Sequence, residues 1–262
     1  MTPVCLDDLP VSKEVSDICE YLDWDSGLFG IRIGKVAGNH LDEERATKVL
    51  QWSRHYAVDC LYFLADVDGP TMRVAEQHGF RLVDIRSTLE ARLLGSYSAK
   101  WGQDGVREAV PGDIPAVREI AAQSHTDTRF YRDGRFDRHQ CDELYRIWIE
   151  KSCRGYADMV MVAEHDSRPV GYISCHLKGD GSGQIGLVGV DGSVRGLGIG
   201  QKLVRQALYW FVEQEAHDVS VVTQGNNVRA QRLYQRSGFL ARSVQLWYHL
   251  WPASAREAMR GC

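Results

Sequence analysis

The chain repeats itself. Laid over itself at an offset of 159 positions without gaps, Asp59-Cys60-Leu61-Tyr62-Phe63-Leu64 falls on Asp218-Val219-Ser220-Val221-Val222-Thr223. At the same offset Ala75-Glu76-Gln77-His78-Gly79-Phe80 falls on Tyr234-Gln235-Arg236-Ser237-Gly238-Phe239. Each copy reads as an apolar strand, a helix closed by glycine, and a second strand. Duplication of such a unit restricts the chain to an α/β (α+β) architecture of two related halves. Its 262 residues suit two units of ordinary domain size. Residues 95–105, GSYSAKWGQDG, are rich in glycine, serine and polar residues and read as the linker. The expected organisation is an N-terminal domain over 1–98, a second domain over 106–251 and a tail over 252–262.

Composition narrows the partners. With 44% hydrophobic and 25% charged residues the chain builds a core. A net charge of -4 offers no global attraction to nucleic acid or anionic membrane, so small molecules are the expected partners, and a homodimer is left open. The seven cysteines are scattered, with no CxxC pair and no zinc-like spacing with histidine, which fits a reducing cytoplasm and no bound metal. Met1 to Pro10 lacks the basic and apolar regions of a signal peptide, and no apolar run approaches the length of about 18 residues that spans a bilayer.

The C-terminal half is the more explicit. Residues 157–164, 170–177 and 184–190 read as three strands, and 199–215 as an amphipathic helix with Leu203, Ala207, Leu208, Phe211 and Val212 on one face. Val219 to Thr223 reads as a buried strand, Val228 to Ser237 as a helix, and Phe239 to Leu250 as a long final strand. Upstream, Asp113 and Pro115 mark the start of a helix that runs to residue 124.

Between the third strand and the amphipathic helix lies Arg195-Gly196-Leu197-Gly198-Ile199-Gly200. Unpaired amides at a helix start, with glycines that let a ligand approach the main chain, make an anion site. The spacing G-x-G-x-G, followed by Gln201, fits neither the dinucleotide fingerprint nor the P-loop. At the 159 offset this loop falls on Val36 to Leu41, and Tyr234 falls on Ala75, so only the second copy is expected to be catalytic.

Arg195-x-x-Gly198-x-Gly200 resembles the coenzyme A signature [QR]-x-x-G-x-[GA] of the GCN5-related N-acetyltransferase (GNAT) superfamily. Asn227 to Phe239 resembles that superfamily's N-x-x-A-x-x-L-Y-x-x-x-G-F segment at every signature position. The resemblance covers about 106–250. It implies a GNAT fold, a mixed splayed sheet with flanking helices, here preceded by a degenerate GNAT-like half. It further implies acetyl-CoA as co-substrate, held by Leu187, Val188 and Val190, by Arg195, Gly196, Leu197, Gly198, Ile199 and Gly200, and by Asn227.

An amine that attacks a thioester must be neutral, and the departing thiolate benefits from a proton. Tyr234 lies where the family often places that donor, and a phenol is protonated at neutral pH. For the base, His125, Asp127, Glu143, His176 and Tyr248 all stay open, as does a water chain.

Residues 125–136 occupy the superfamily's usual acceptor region. Arg129, Arg132 and Arg135 are suited to phosphates, and Phe130, Tyr131 and Phe136 to a base or sugar. WDSGLFGIRIGKV at 24–36 and Leu144 to Ser152, with Gly155, resemble the bacterial TDP-fucosamine acetyltransferase group. That likeness implies transfer to the 4-amino group of a dTDP-4-amino-4,6-dideoxyhexose, with Asp23, Trp24, Asp25, Phe29 and Phe130 near the nucleotide sugar and the N-terminal half shaping the acceptor site. Other amines as acceptors, or a module that binds acyl-CoA without catalysis, remain as alternatives.

Overall fold

The computed structural model describes residues 17–93, 101–102 and 104–252. Met1 to Pro10, most of the linker at 95–105 and the tail beyond 252 lie outside the described residues. The chain divides into two compact units, Met1–Leu82 with Tyr248–Cys262, and Val83–Trp247.

In the first unit, β1 (Cys19–Tyr21) runs antiparallel to β2 (Ile33–Val36), with α1 (Asp23–Phe29) between them. β2 runs parallel to β3 (Cys60–Asp66) through α2 (Glu43–His55). Asp42 caps α2 by accepting from the Arg45 amide, with Glu43 and Glu44 favourably placed in the first turn. Asp68 caps α3 (Gly69–Gln77) in the same way. Strand β3 is buried along nearly its whole length, as an apolar run in a parallel pair requires. Phe63 packs edge-on against Phe80 and stacks with Tyr248, ring centroids 5.8 and 6.4 Å away.

In the second unit, α4 (Ile114–Ser124), α5 (Arg129–Asp133) and α6 (Arg138–Lys151) precede a single π turn at Ser152–Tyr156. There follow β6 (Met159–His165), β7 (Arg168–Leu177), β8 (Gly183–Val190), α7 (Ile199–Glu213), β9 (Asp218–Gln224), α8 (Val228–Arg236) and β10 (Leu240–Leu250). This is the predicted order β-β-β-α-β-α-β, with boundaries shifted by at most two residues. β5 (Val106–Glu108) pairs antiparallel with β6, β6 with β7 and β7 with β8, whereas β8 and β9 are parallel. The buried face of α7, with Leu203, Val204, Ala207, Leu208 and Phe211, packs on Ile173, Cys175, Ile185, Val219 and Val221. Burying such side chains stabilises by roughly 1.5–3 kcal/mol each.

The units do not divide at residues 95–105, and strand pairing explains why. β4 (Arg81–Arg92) follows β3 and α3 in sequence, yet its residues Arg86–Arg92 pair antiparallel with Gln224–Asp218 of β9. In exchange β10, the corresponding strand of the second copy, ends beside β3. Along the chain the two copies are consecutive; in the ladders their final strands change places.

Pairing register also refines the repeat. Ile33 lies opposite Cys60, and Gly183 lies opposite Val219. The two later strands match at 159, but the strands before the helices match at 150. The first copy is therefore nine residues shorter between strand and helix, in the segment where the second copy carries its glycine loop. The gapless comparison lays that loop over Val36 to Leu41.

Among the described residues no helix is long and apolar enough to cross a membrane, and no three His, Cys, Asp or Glu side chains are grouped to hold a metal ion.

Candidate active site

β8 and β9 pair only from Gly183 to Ile185. Beyond Ile185, β8 continues to Val190 beside β7 alone, so its other edge is unpaired. Opposite this stretch β7 carries a bulge at Ser174, whose hydroxyl accepts from the Leu187 amide at 2.8 Å. The Asp191 amide donates to Val170 O, also on β7. By the alternation of a ladder, the amides of Val188 and Val190 turn to the open edge, while that of Leu187 is already committed. The parted strands with a bulge beside them form the splay expected between the third and fourth strands of this half.

Two glycines keep this stretch thin. A Cβ on Gly186 would lie 2.7 Å from both His176 Nε2 and Ser174 Oγ, and one on Gly189 would lie 2.5 Å from Tyr172 Cε1. Neither place tolerates a side chain without displacing a neighbour.

At the end of the splay the chain enters the glycine loop. Gly196 and Gly198 adopt φ of 89° and 76°, the left-handed region that favours glycine. Gly198 is the N-cap of α7, and no side chain caps this helix. The amides of the first turn, Ile199, Gly200 and Gln201, therefore lack an intrahelical partner and face an anion at the positive end of the helix dipole. Arg195 and Leu197 are exposed, and Ile199 is buried into the core beneath. Gly200 lets α8 approach, since a Cβ there would lie 3.2 Å from Leu233 Cδ2. Asn227 is the N-cap of α8, its Oδ1 accepting from the Ala230 amide at 3.0 Å. That leaves its Nδ2 as the group free to meet a ligand.

Tyr234 follows Leu233 on α8 and is 5% exposed, its ring 5.8 Å from Phe239. Burial raises its pKa, so the phenol holds its proton. Tyr172 is fully buried, and burial, with Tyr145 and Tyr234 among its neighbours, raises its pKa as well. His125 Nε2 and Tyr172 Oη lie 2.8 Å apart in a hydrogen bond, and the His125 ring stacks on Tyr145 at 4.7 Å. Burial pushes the His125 imidazole down to about 4, so it is neutral at physiological pH.

The other candidates for a base are differently engaged. Glu143 pairs with Arg146 at 2.9 Å and with Arg118 at 3.5 Å. In the first unit, the Tyr248 hydroxyl donates to Glu76 at 3.3 Å. Asp127 is exposed. His176 sits against Gly186 at the vertex of the splay, its pKa lowered by burial.

In the acceptor segment, Phe130 is 4% exposed and packs edge-on against Phe136 at 5.6 Å, which makes it an anchor of the segment. The Tyr131 hydroxyl donates to Asp142 at 2.6 Å, and its pKa is raised by burial and by that carboxylate. The Arg129 guanidinium lies 4.2 Å from the Phe130 ring and 4.3 Å from the Trp247 ring. Arg132 Nη1 lies 3.7 Å from Asp84 Oδ1. Arg129 and Arg132, read as phosphate ligands, are thus already held by the protein. Trp24 is partly buried on α1, and Phe29, 6% exposed, belongs to the core of the first unit.

Asp84 is the residue that sequence reasoning missed. It lies on β4, far from the motifs in sequence, and its pattern of exposed neighbours gave no sign of a buried carboxylate.

A parted parallel strand pair, a glycine loop opening α7 and a buried tyrosine on the next helix follow one another along the second unit, the arrangement that the GNAT resemblance implied. Residues 115–239 match the model of the acetyltransferase (GNAT) family, and the chain carries a domain of that family. GNAT acetyltransferases use acetyl-CoA as co-substrate. The chain is 32% identical over 142 residues to the spore coat polysaccharide biosynthesis protein SpsD of Bacillus subtilis, a match covering 54% of this chain and 49% of that protein. It therefore spans about half the length of that relative. It is 27% identical over 235 residues to the dTDP-fucosamine acetyltransferase of Escherichia coli, covering 88% of this chain and 96% of the other. In fold it is similar to a GCN5-related N-acetyltransferase of Sphaerobacter thermophilus, with a TM-score of 0.63, 18% identity and coverage of 88% and 75% of the two chains.

Proposed function

We propose that the protein is an acetyl-CoA-dependent N-acetyltransferase whose acceptor is the amine of a nucleotide-linked amino sugar of the dTDP-4-amino-4,6-dideoxyhexose type. The observation that carries the transferase reading is the splay of β8 from β9, which ends on a loop of unpaired amides. Support for the acceptor comes from the near full-length similarity to a dTDP-fucosamine acetyltransferase. The residues present fit the coenzyme. The amides of Val188 and Val190 suit an amide-bearing arm, the loop from Arg195 to Gly200 suits a pyrophosphate, and Asn227 Nδ2 adds a donor. Acetyl-CoA supplies the activated acetyl group. Direct attack by a neutral amine in a ternary complex leaves a thiolate to be protonated. Tyr234, kept as a phenol by burial, is the donor.

Thiol release with purified protein tests this reading. Acetyl-CoA and a dTDP-4-amino-4,6-dideoxyhexose should yield free coenzyme A and the N-acetyl sugar. Turnover of peptides or polyamines, with none of the nucleotide sugar, would transfer the activity to another amine. Coenzyme binding without release of thiol on any amine would make the protein a binding module.

A further inference from the structure

Helix α5 has five residues, far below the roughly 12–15 at which a helix stands alone in water. Thr128, at its N-cap, makes no side-chain capping bond. The segment is held instead from another strand, by the Asp84 carboxylate on β4, which accepts from the Ile85 amide at 2.8 Å. The same carboxylate faces Arg132 Nη1, while Arg129 stacks on Trp247 of the adjacent strand β10. Asp84 is 5% exposed, so its charge is held by these donors and not by solvent. The segment is also fastened by His125 to Tyr172 and by Tyr131 to Asp142. Of the three ties, only Asp84 is supplied by the first copy of the repeat.

We infer that Asp84 is a positioning residue for the acceptor: its carboxylate pairs with Arg132, holds the Arg129–Asp133 turn against β4 and β10, and thereby sets acceptor affinity. This rests on residues 125–136 forming the acceptor segment of the proposed transferase. Removing the carboxylate leaves the Arg132 guanidinium without this partner, and the turn loosens while the coenzyme loop is untouched. Asparagine keeps the shape and an oxygen but gives up the charge.

The test uses the full chain with Asp84→Asn, Asp84→Ala and the milder Arg132→Ala. Steady-state kinetics are measured with acetyl-CoA and a dTDP-4-amino-4,6-dideoxyhexose, and amide hydrogen exchange is followed over residues 125–136. In Asp84→Ala the acceptor KM should rise about tenfold, as loss of a buried ion-pair partner implies, with a smaller rise in Asp84→Asn and in Arg132→Ala. The acetyl-CoA KM should stay within about twofold, and exchange over 125–136 should quicken in the same order. Unchanged exchange there, or an equal rise of both KM values, overturns the inference. Should the wild-type protein acetylate no amino sugar, the acceptor reading falls, and the exchange arm still decides whether Asp84 holds the segment.

Discussion

A fragment that begins after the linker, residues 104–262, would contain every signature of the acetyltransferase domain and yet should not fold. It lacks β4, whose residues Arg86–Arg92 pair with β9, and with it Leu89 and the following Leu93, 2% and 9% exposed within the core of the second unit. Losing the two leucines removes roughly 1.5–3 kcal/mol each, and each missing ladder hydrogen bond removes about 1 kcal/mol net. Over the paired stretch the loss is on the order of 10 kcal/mol, as large as the usual stability of a whole domain. The fragment should show no cooperative thermal transition by circular dichroism, and co-expression with residues 1–103 should restore it. Within the full chain, Leu89→Ala should cost about 2–5 kcal/mol in denaturant unfolding. A fragment that melts cooperatively and binds acetyl-CoA by itself would refute the exchange of strands.

Tyr234→Phe should cut kcat by about 100-fold or more while leaving acetyl-CoA binding by calorimetry unchanged; undiminished turnover would remove the phenol from the mechanism. Gly198→Ala places a side chain at φ 76° and should weaken binding of coenzyme A by roughly fivefold or more, for a strain of about 1–2 kcal/mol at the loop. Gly189→Ala drives a methyl into Tyr172 and should destabilise by about 1–3 kcal/mol in chemical unfolding. His125 is held neutral, its folded pKa of about 4 lying below the ordinary 6.5. The unfolded chain binds more protons between these values, so stability present above pH 6.5 is lost as the pH falls toward 4. His125→Gln should flatten that part of a plot of thermal midpoint against pH; an unaltered profile would show that another group controls it.

Local signals made the second copy legible. The apolar runs, the Gly-Phe punctuation and the period of α7 foretold β6 to β10 almost to the residue, because each reports on its own backbone. The glycine loop was legible for the same reason, since φ above zero at Gly196 and Gly198 is a local demand. What escaped was nonlocal. Nothing in the run Arg81–Arg92 says that it pairs with β9, 126 or more positions along, and nothing at Asp84 says that Arg132 of α5 will face it. Arg129 and Arg132 looked free because their partners, Trp247 and Asp84, come from distant strands. Asn227, read as a coenzyme ligand, carries a second, purely local duty as a helix cap.

The nine residues that the first copy lacks fall in the segment of the glycine loop. In the second copy Arg195, Gly196, Leu197 and Gly198 are all exposed, while Ile199 is buried in the core beneath. In the first copy, Gly34 on β2 is covered by Trp52 of α2, close enough that a Cβ would lie 2.8 Å from Cζ3. With a glycine loop in the second copy alone, the chain is expected to titrate with one acetyl-CoA, not two.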